Sequence, residues 1–354
     1  MLKYQKKGGE RMDAISDRKR SLLYDQLKII TILLVVLGHC FIMFSPESAI
    51  PVQRGSVILS YAAKILYRFH IPCFFMASGA VFAYNLRKGK YEVFADFVKA
   101  KARRLLIPYG IFGVLIVLPT LLICGLLEPS RWYTFFWNLI NGRDIRHLWY
   151  LYDLFAMFLL FWFFRKRVPG ENPKKVLAVS FAVSIVFRSL PFEFISYFQI
   201  GNIFYYQFFF LWGIFFDRYF YRLLAVFKKR RFLPFLCGLL LIMSCFADLY
   251  TLSGYVYAAA GVALTVMAAQ VLCGRKKWIE NQWWNRVIGD SYGIYLFHPM
   301  IMYLIFYGFS RWEVPVIFLL LLSLTVSFGL SFLLTEVCRK ARLAFVIGEK
   351  GKRS

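Results

Sequence analysis

A lysine and a histidine lie eleven residues apart in the apolar stretch DQLKIITILLVVLGHC, which runs from Asp25 to Cys40. On an α-helix, Lys28 and His39 lie about 20° apart around the axis and about 16 Å apart along it. They therefore share one face, with the lysine near the end of a membrane span and the histidine near its middle. A buried imidazole favours its neutral form, which a general base requires. We interpret His39 as a candidate base, and Asp25 as a further candidate that can pair with Lys28.

The segment RFHIPCFFMASG places two more ionisable side chains, Arg68 and His70, in an apolar stretch. A guanidinium inside a membrane needs a carboxylate, a phosphate or water as a partner. Pro72 removes a backbone donor and leaves carbonyl groups for neighbouring helices to satisfy. The alternative interpretation is a hydrogen-bonded cluster that only fixes helix packing, with Ser78 and Gly79 allowing another helix to approach closely.

The segment HLWYLYDLF begins another apolar stretch with three candidates, His147, Trp149 and Tyr150. The aromatic belt of a membrane protein accounts for the tryptophan and the tyrosine. It does not account for His147 or for Asp153, which flank them. We therefore keep both interpretations, an interfacial belt and a polar site.

The segment SYGIYLFHP contains Ser291 and His298 on one helical face, with Tyr295 one turn before the histidine. The chain has four histidines, and all of them fall within or at the edge of an apolar stretch. None lies in a basic loop, where a histidine without a role would cost least. A polar path through the membrane is the simplest explanation of this distribution.

The basic segment KAKARRLLIPY contains Lys101 and Arg104 and follows the second apolar stretch. Such a cluster is typical of a cytoplasmic loop, and its cations also suit phosphate recognition. The sequence has no Walker loop, no GxGxxG fingerprint and no HExxH motif, so nucleotide hydrolysis, dinucleotide binding and zinc peptidase activity lack support. No metal site is predicted.

The elements that position these residues are predicted to be membrane-spanning helices. The chain has 354 residues, of which 60% are apolar and 20% aromatic. Its apolar stretches are mostly about 18 to 24 residues long, enough to cross a hydrocarbon core as helices. We predict an all-α, polytopic membrane protein with about ten spans, at residues 27–46, 57–84, 105–126, 148–164, 176–191, 203–217, 232–250, 255–273, 291–309 and 315–338.

The net charge of +25 predicts topology rather than nucleic-acid binding. Most of the 44 lysines and arginines fall in the two tails and in alternate connections, whereas the other connections hold only scattered arginines such as Arg54 and Arg146. Positive charge stays on the cytoplasmic side, so both termini are predicted to be cytoplasmic and in contact with anionic lipid. The basic start predicts an uncleaved first span.

The predicted organisation is a basic tail at residues 1–24, a membrane domain at 25–338 and a second basic tail at 339–354. No connection is long enough for a soluble catalytic domain. The longest, near 127–147, is predicted to form a short external helix around RWYTFFWNLI. The seven cysteines form no CxxC pair and are expected to pack as small apolar residues.

These segments together resemble the acyltransferase 3 family of bacterial integral-membrane acyltransferases, from about Asp25 to about Glu336. The family hallmark, Arg or Lys followed by ten residues and His, matches Lys28 and His39. RFHIPCFFMASG is similar to the family segment FHxPxFFxxSG, and HLWYLY and SYGIYLFHP are similar to two more. The cytoplasmic RxxR motif matches Lys101 and Arg104, with lysine in place of the first arginine. Lysine keeps the charge at these positions but lacks the planar fork of arginine.

The resemblance implies acyl transfer, usually of acetyl from acetyl-CoA, to a hydroxyl of a cell-surface or lipid-linked carbohydrate. It places the protein in the bacterial plasma (inner) membrane and, given the short form with HLWYL, favours antigen or exopolysaccharide sugars. The CoA phosphates would meet Lys28, Lys101 and Arg104 at the inner face. The side chain of His39 would take the hydroxyl proton or carry the acyl group. Arg68 or His70 would stabilise the oxyanion or hold an acceptor phosphate.

Two other classes remain open. A lipid-linked-sugar or exopolysaccharide flippase or transporter would also place arginine and histidine along an internal path. It predicts movement of unmodified substrate without acetyl-CoA. A structural or sensory membrane protein needs no file of histidines. The acceptor sugar, the side of the membrane on which it is modified, the acyl donor and the oligomeric state are not predicted.

Overall fold

The described part of the chain is helical throughout. The computed structural model describes residues 2–168, 171–190, 195, 197–246 and 252–350, with residues 2–16 and 276 described by their backbone alone. No strand occurs within these ranges, which confirms the predicted all-α class. The α-helices are α1 Leu2–Ile42, α2 Val57–Arg87, α3 Phe94–Phe112, α4 Leu118–Ile123, α5 Trp132–Asn141, α6 Trp149–Phe163, α7 Pro173–Ser189, α8 Ile200–Arg218, α9 Phe220–Lys229, α10 Leu233–Met243, α11 Ser253–Cys273, α12 Lys276–Ile279, α13 Gln282–Phe309 and α14 Val316–Lys340.

Within the described ranges, six helical segments are long and apolar enough to cross a membrane. They are Asp17–Ile42, Val57–Arg87, Phe94–Ile123, Ser253–Cys273, Gln282–Phe309 and Val316–Lys340. The other four predicted spans coincide with the shorter helices α6, α7 and α10 and with α8, although residues 191 and 247–250 lie outside the described chain. The chain is a multi-pass membrane protein, while the count of ten spans and the cytoplasmic termini remain predictions.

Helices α1 and α3 begin well before the spans that the sequence pattern predicts, and their early turns are basic. Helix α1 starts at Leu2, so much of the predicted tail continues the first span as helix. Helix α3 starts at Phe94, eleven residues before the predicted span at 105–126, and therefore places KAKARR on a helix rather than in a loop. Alanine, lysine and arginine all favour helix, and long cations can extend from a helix into the polar interface. The runs of apolar residues predicted the membrane-embedded part of each helix but not its basic extension.

Helix α2 lies at the centre of the bundle and packs against α1, α8 and α11. Its contact with α8 is a close backbone approach. A Cβ on Gly79 would overlap the carbonyl oxygen of Phe210, and a Cβ on Gly213 would overlap that of Met76. The two glycines therefore face each other's helices, as small residues do where membrane helices meet. The predicted close approach at Gly79 is confirmed, and α8 is the partner.

The remaining helices complete the surroundings of α1. Helix α13 packs against both α1 and α14, and α3 packs against α6. The short helix predicted around RWYTFFWNLI is present as α5. All seven cysteines are free, in agreement with their predicted role in packing. The candidate face of α1 thus lies between α2 on one side and α13 on the other.

Candidate active site

The four histidines, all in the described chain, come together from four different elements. The ring of His39 on α1 meets the ring of His298 on α13 edge to face, with centroids 5.3 Å apart. His147, in a short 3₁₀ turn before α6, lies 6.3 Å from His298. Tyr67 of α2 connects the fourth, because its ring centroid is 6.1 Å from that of His39 and 4.7 Å from that of His70.

Backbone hydrogen bonds fix the tautomers of three of these rings. Nδ1 of His70 donates to Leu66 at 2.7 Å, and the other two rings are those of His298 and His147. A carbonyl oxygen can only accept, so Nδ1 of His298 donates to Ile294 at 2.7 Å and Nε2 of His147 donates to Leu296 at 3.1 Å. In each neutral ring the other nitrogen then carries the lone pair. The lone-pair nitrogens of His298 and His147 are buried and have no hydrogen-bond partner in the structure. Each is free to accept a proton.

His39 differs from the other three in its exposure. His70, His147 and His298 expose 1%, 5% and 0% of their surface, whereas His39 is partly exposed. Within the described chain, no hydrogen bond holds the ring nitrogens of His39. Of the four imidazoles, this one has the largest exposed fraction.

A cavity of about 340 Å³ separates the predicted cationic residues from the histidines. Lys28, Lys101 and Arg104 line it, together with Asp25. Tyr150 and Tyr295 also line it, and Tyr295 makes ring contacts with His147 at 5.5 Å and with His298 at 6.5 Å. His39 does not itself line this cavity, and its neighbour His298 contacts the lining residue Tyr295. The complete lining is Tyr24, Asp25, Lys28, Ile32, Phe74, Ala77, Ser78, Val81, Lys101, Arg104, Leu105, Tyr150, Leu154, Phe158, Ser291, Tyr292 and Tyr295.

Aromatic rings and a backbone carbonyl hold the three cations. Lys101 Nζ lies 3.5 Å from the centroid of the Phe158 ring, and the Arg104 guanidinium lies 4.0 Å from that of Tyr292. Lys28 Nζ donates to the Ile288 carbonyl at 3.3 Å. No carboxylate in the described chain forms an ion pair with any of the three. Their charges therefore remain available to an anion that enters the cavity.

Asp25 does not form the expected ion pair with Lys28, although both line the cavity. The ammonium reaches a carbonyl of α13 instead. Asp25 also lies fourteen residues before His39 on the same helix, or about 21 Å along the axis. It therefore belongs to the cationic end of the cavity and does not contact the imidazole.

The segment after α14, residues 344–349, packs beside the cationic end; we call it the carboxyl-terminal strap. Arg104 Nη1 lies 3.4 Å from the carbonyl oxygens of Ile347 and Gly348 and donates to them. Glu349 accepts two hydrogen bonds from Arg339, each of 2.8 Å. Arg339 also pairs with Asp290 of α13. The strap is thus fixed both to α3 and to the α13–α14 pair.

The carboxylate of the strap, Glu349, interacts electrostatically with the cations of the cavity. Burial raises the pKa of the Glu349 carboxyl, but the hydrogen bonds and charge of Arg339, and the charges of Arg104 and Lys28, more than offset this. The pKa of Glu349 is therefore lowered from its ordinary value. Sequence analysis missed the strap, and the only signal was an acidic residue in an otherwise basic tail.

The remaining candidate residues differ in whether they line the cavity or contact other parts of the bundle. Arg68 donates to the Ser244 carbonyl at 2.9 Å and so points toward the end of α10. Trp149 packs on Tyr206, with ring centroids 5.6 Å apart, rather than on the histidines. Ser291 lines the cavity, and its hydroxyl donates to Ile288.

Two hydroxyl-bearing residues that line the cavity, Ser78 and Tyr150, contact each other near Tyr295. The hydroxyls of Ser78 and Tyr150 lie 3.1 Å apart, and Tyr150 packs against Tyr295 with centroids 5.9 Å apart. The prediction assigned Ser78 to packing alone. Asp153, one turn after Tyr150, is fully buried, and neither of its carboxylate oxygens has a hydrogen-bond partner in the structure.

Comparison with known families agrees with the motifs that form the site. Residues 23–336 match the sequence model of a family described as an acyltransferase domain. The chain belongs to the acyltransferase 3 family. The match covers nearly the whole chain and contains the histidine cluster and every residue that lines the cavity. No curated protein and no solved structure matches the chain. As a member of the acyltransferase 3 family with several apolar spanning helices, the protein is a membrane acyltransferase.

Proposed function

We propose that this acyltransferase 3 member is an O-acetyltransferase of the bacterial inner membrane. It moves an acetyl group from cytoplasmic acetyl-CoA to a hydroxyl of a cell-surface or lipid-linked polysaccharide sugar. One observation carries the proposal. A single cavity has, at one end, three cations that form no ion pair with a described carboxylate and, at the other, the tyrosines that pack against the histidine cluster. This arrangement supports a path with the anionic donor at one end and the proton acceptor at the other.

The cationic end fits the donor. CoA carries its phosphates at one end and its thioester at the other, joined by a thin flexible arm. Lys28, Lys101 and Arg104 supply positive charge for the phosphates, and Arg104 offers the planar fork that binds them in pairs. The distance of about 16 Å along α1 between Lys28 and His39 gives the arm a path toward the imidazoles. Tyr150 and Tyr295 lie along that path and line it with aromatic rings.

The chemistry at the histidines is acyl transfer with general-base catalysis. An imidazole nitrogen of His39 takes the proton from the sugar hydroxyl while that oxygen attacks the thioester carbonyl. A carbon–oxygen bond forms, the carbon–sulfur bond breaks, and the imidazolium returns its proton to the departing thiolate. His298 accepts or returns that proton through its Nε2 lone pair, since its Nδ1–H is already committed to a backbone carbonyl. Direct transfer needs no covalent intermediate, although transient acylation of His39 satisfies the same balance.

The acceptor approaches from the side of α2. Tyr67 packs against His39, and His70 packs against Tyr67, so a sugar ring stacked on Tyr67 has its hydroxyl near the base. Arg68 follows Tyr67 directly and points toward α10. The two roles predicted for Arg68, stabilising the oxyanion or holding an acceptor phosphate, stay predictions.

Incubation of membranes with radiolabelled acetyl-CoA tests the proposal. The parent protein should transfer label to glycan, and His39→Ala should not, although the variant remains in the membrane at the parent level. Cys40→Ala is the matched control, because its side chain lies beside His39 on the helix but contacts Ser323. Movement of unmodified lipid-linked sugar without labelling would favour the transporter class and refute the enzyme.

A further inference from the structure

A second, larger groove lies beside α1 at the start of its apolar spanning segment Asp17–Ile42 and shares no residue with the cavity described above. Its volume is about 790 Å³. Arg18 and Lys19 of α1 form one wall, and Lys228, Arg230 and Arg231, at and just after the end of α9, form the other. We call it the basic groove. All five cations are exposed.

The charge of the basic groove is not neutralised by the described residues. No carboxylate among them forms an ion pair with any of its five cations. Of the described acids nearby, Asp17 pairs with Lys88, and Asp217 pairs with Arg20 and Arg87. Asp25, further along α1, lines the other cavity. Five like charges around one cavity repel each other, so an anion that enters the groove is attracted by all of them.

The floor of the basic groove is apolar. Leu22 and Phe227 line it as half-buried side chains, and the buried side chains of Leu23, Phe220 and Leu224 lie beneath them. Met267 and Val271 of α11 extend the same floor. The groove is therefore amphipathic, with apolar side chains below and cations along the rim. A free inorganic anion or a nucleotide would leave this floor uncovered.

The depth of the groove along α1 matches the headgroup region. Arg18 lies next to the first residue of the apolar spanning segment Asp17–Ile42, and about 15 Å along the axis from Lys28. The end of α11 and the start of α10 close the groove at the same level. The predicted topology places this level at the cytoplasmic leaflet, where anionic lipids concentrate and basic pockets between helices bind their headgroups.

We propose that the basic groove is a binding site for an anionic phospholipid. The headgroup phosphate lies between the cations of α1 and those at the end of α9, and one acyl chain covers the apolar floor. The lipid thereby joins α1, α9 and α11 through a charge contact that the chain alone does not make. This proposal does not depend on the acyl-transfer reaction.

Native mass spectrometry of the purified full chain tests the site with defined lipids. Phosphatidylglycerol should remain bound, and phosphatidylcholine with the same acyl chains should not. Replacing three cations of one wall (Lys228→Gln, Arg230→Gln and Arg231→Gln) should weaken phosphatidylglycerol binding on the order of tenfold to a hundredfold. The opposite-wall variant Arg18→Gln with Lys19→Gln should also weaken it, which separates loss of a site from local misfolding.

A matched control removes the same number of charges elsewhere. Lys174→Gln, Lys175→Gln and Arg286→Gln change exposed cations outside the groove and should keep parental binding. All variants should unfold at the parental temperature in neutral detergent without lipid. Equal binding of the two lipids, equal loss in the control, or displacement of the lipid by CoA would each overturn the proposal.

Discussion

The imidazoles of His39 and His298 meet edge to face with centroids 5.3 Å apart, although they come from helices at opposite ends of the chain. One ring is partly exposed and has no hydrogen-bond partner in the described chain, and the other is buried with one nitrogen fixed as a donor. The pair therefore combines an accessible base with a neighbour that can accept a proton from it. Its effect on catalysis is open to direct measurement.

The first prediction concerns His298. An asparagine at this position can keep the donation to Ile294, because its amide nitrogen replaces Nδ1, but it removes the Nε2 lone pair. His298→Asn should lower kcat about 10²-fold to 10⁴-fold and leave the KM for acetyl-CoA unchanged. The rate of labelled-glycan formation at saturating acetyl-CoA measures kcat, and its dependence on acetyl-CoA concentration gives KM.

The control for this experiment is a change that keeps both histidines but disturbs the packing of α13. Phe306→Leu is suitable, since Phe306 is fully buried on the same helix and contacts Phe44 rather than a histidine. It should lower the unfolding temperature with little change in kcat. If His298→Asn behaves like Phe306→Leu, then His298 only supports the packing of α13.

The second prediction concerns the three cations and uses a donor without phosphates. Lys28→Met, Lys101→Met and Arg104→Met should each raise the KM for acetyl-CoA about tenfold, because each removes a charged hydrogen bond to phosphate. Acetyl-pantetheine has no phosphate, so its KM should not change in these variants. The difference between the two donors measures phosphate recognition alone.

Lys99 provides the matched control for this comparison. It is an exposed cation on α3 that does not line the cavity, and Lys99→Met should leave both KM values at the parental level. An equal rise of KM for both donors would mean that the cations stabilise the cavity and do not bind phosphate.

Much of the site follows from patterns that are local in sequence. Spacing along one helix placed Lys28 and His39 on a shared face, and the structure places both facing the α13 side of the bundle. The all-α class followed from apolar stretches whose length matches a membrane. These features depend on the 3.6-residue period and on hydrophobic burial, which a single sequence records directly.

Other features depend on contacts between distant segments. The partner of His39 on α13, the aromatic support of Lys101 by Phe158 and the partnership of Gly79 with α8 all join elements that no local pattern connects. The pairing expected between Asp25 and Lys28 failed for the same reason, because a carbonyl of α13 takes the ammonium. Local spacing identifies which residues can meet, and tertiary packing decides which do.

The third prediction concerns Gly348, which holds the strap against Arg104. Its φ of +65° is left-handed, and a Cβ there would lie 2.5 Å from the Arg104 carbonyl oxygen. Gly348→Ala should cost about 1–2 kcal/mol of backbone strain and loosen the strap. The KM for acetyl-CoA should then rise severalfold with kcat unchanged, and the amides of residues 344–348 should exchange hydrogen faster.

Gly329→Ala is the control, because nothing lies within 4 Å of a Cβ at that position on α14. It should change neither the KM for acetyl-CoA nor the hydrogen exchange of the strap amides. Faster exchange in Gly348→Ala without any change in KM would show that the strap does not position Arg104 for the donor.

The fourth prediction is a pH dependence of stability that arises from Glu349. Burial alone raises the pKa of this carboxyl, but Arg339, Arg104 and Lys28 lower it below its ordinary value of 4.5. The folded pKa is thus below the unfolded one, so the stabilisation is fully present above pH 4.5 and is lost as pH falls through the lowered value. Relative to Glu349→Gln, the parent should be more stable by about 1–3 kcal/mol at pH 7, since the variant loses charged hydrogen bonds.

Unfolding temperatures of the parent and Glu349→Gln between pH 3 and pH 7 give the comparison. The gap between them should be constant above about pH 5 and close as the pH falls below 4.5. Glu313→Gln is the matched control, because Glu313 pairs with Arg54 at 2.9 Å while both side chains are mostly exposed. Solvent screens that pair, so its gap should be small throughout. Equal gaps for the two variants would mean that the strap carboxylate contributes no more than a surface ion pair, and that Arg104 holds residues 344–349 through their backbone carbonyls.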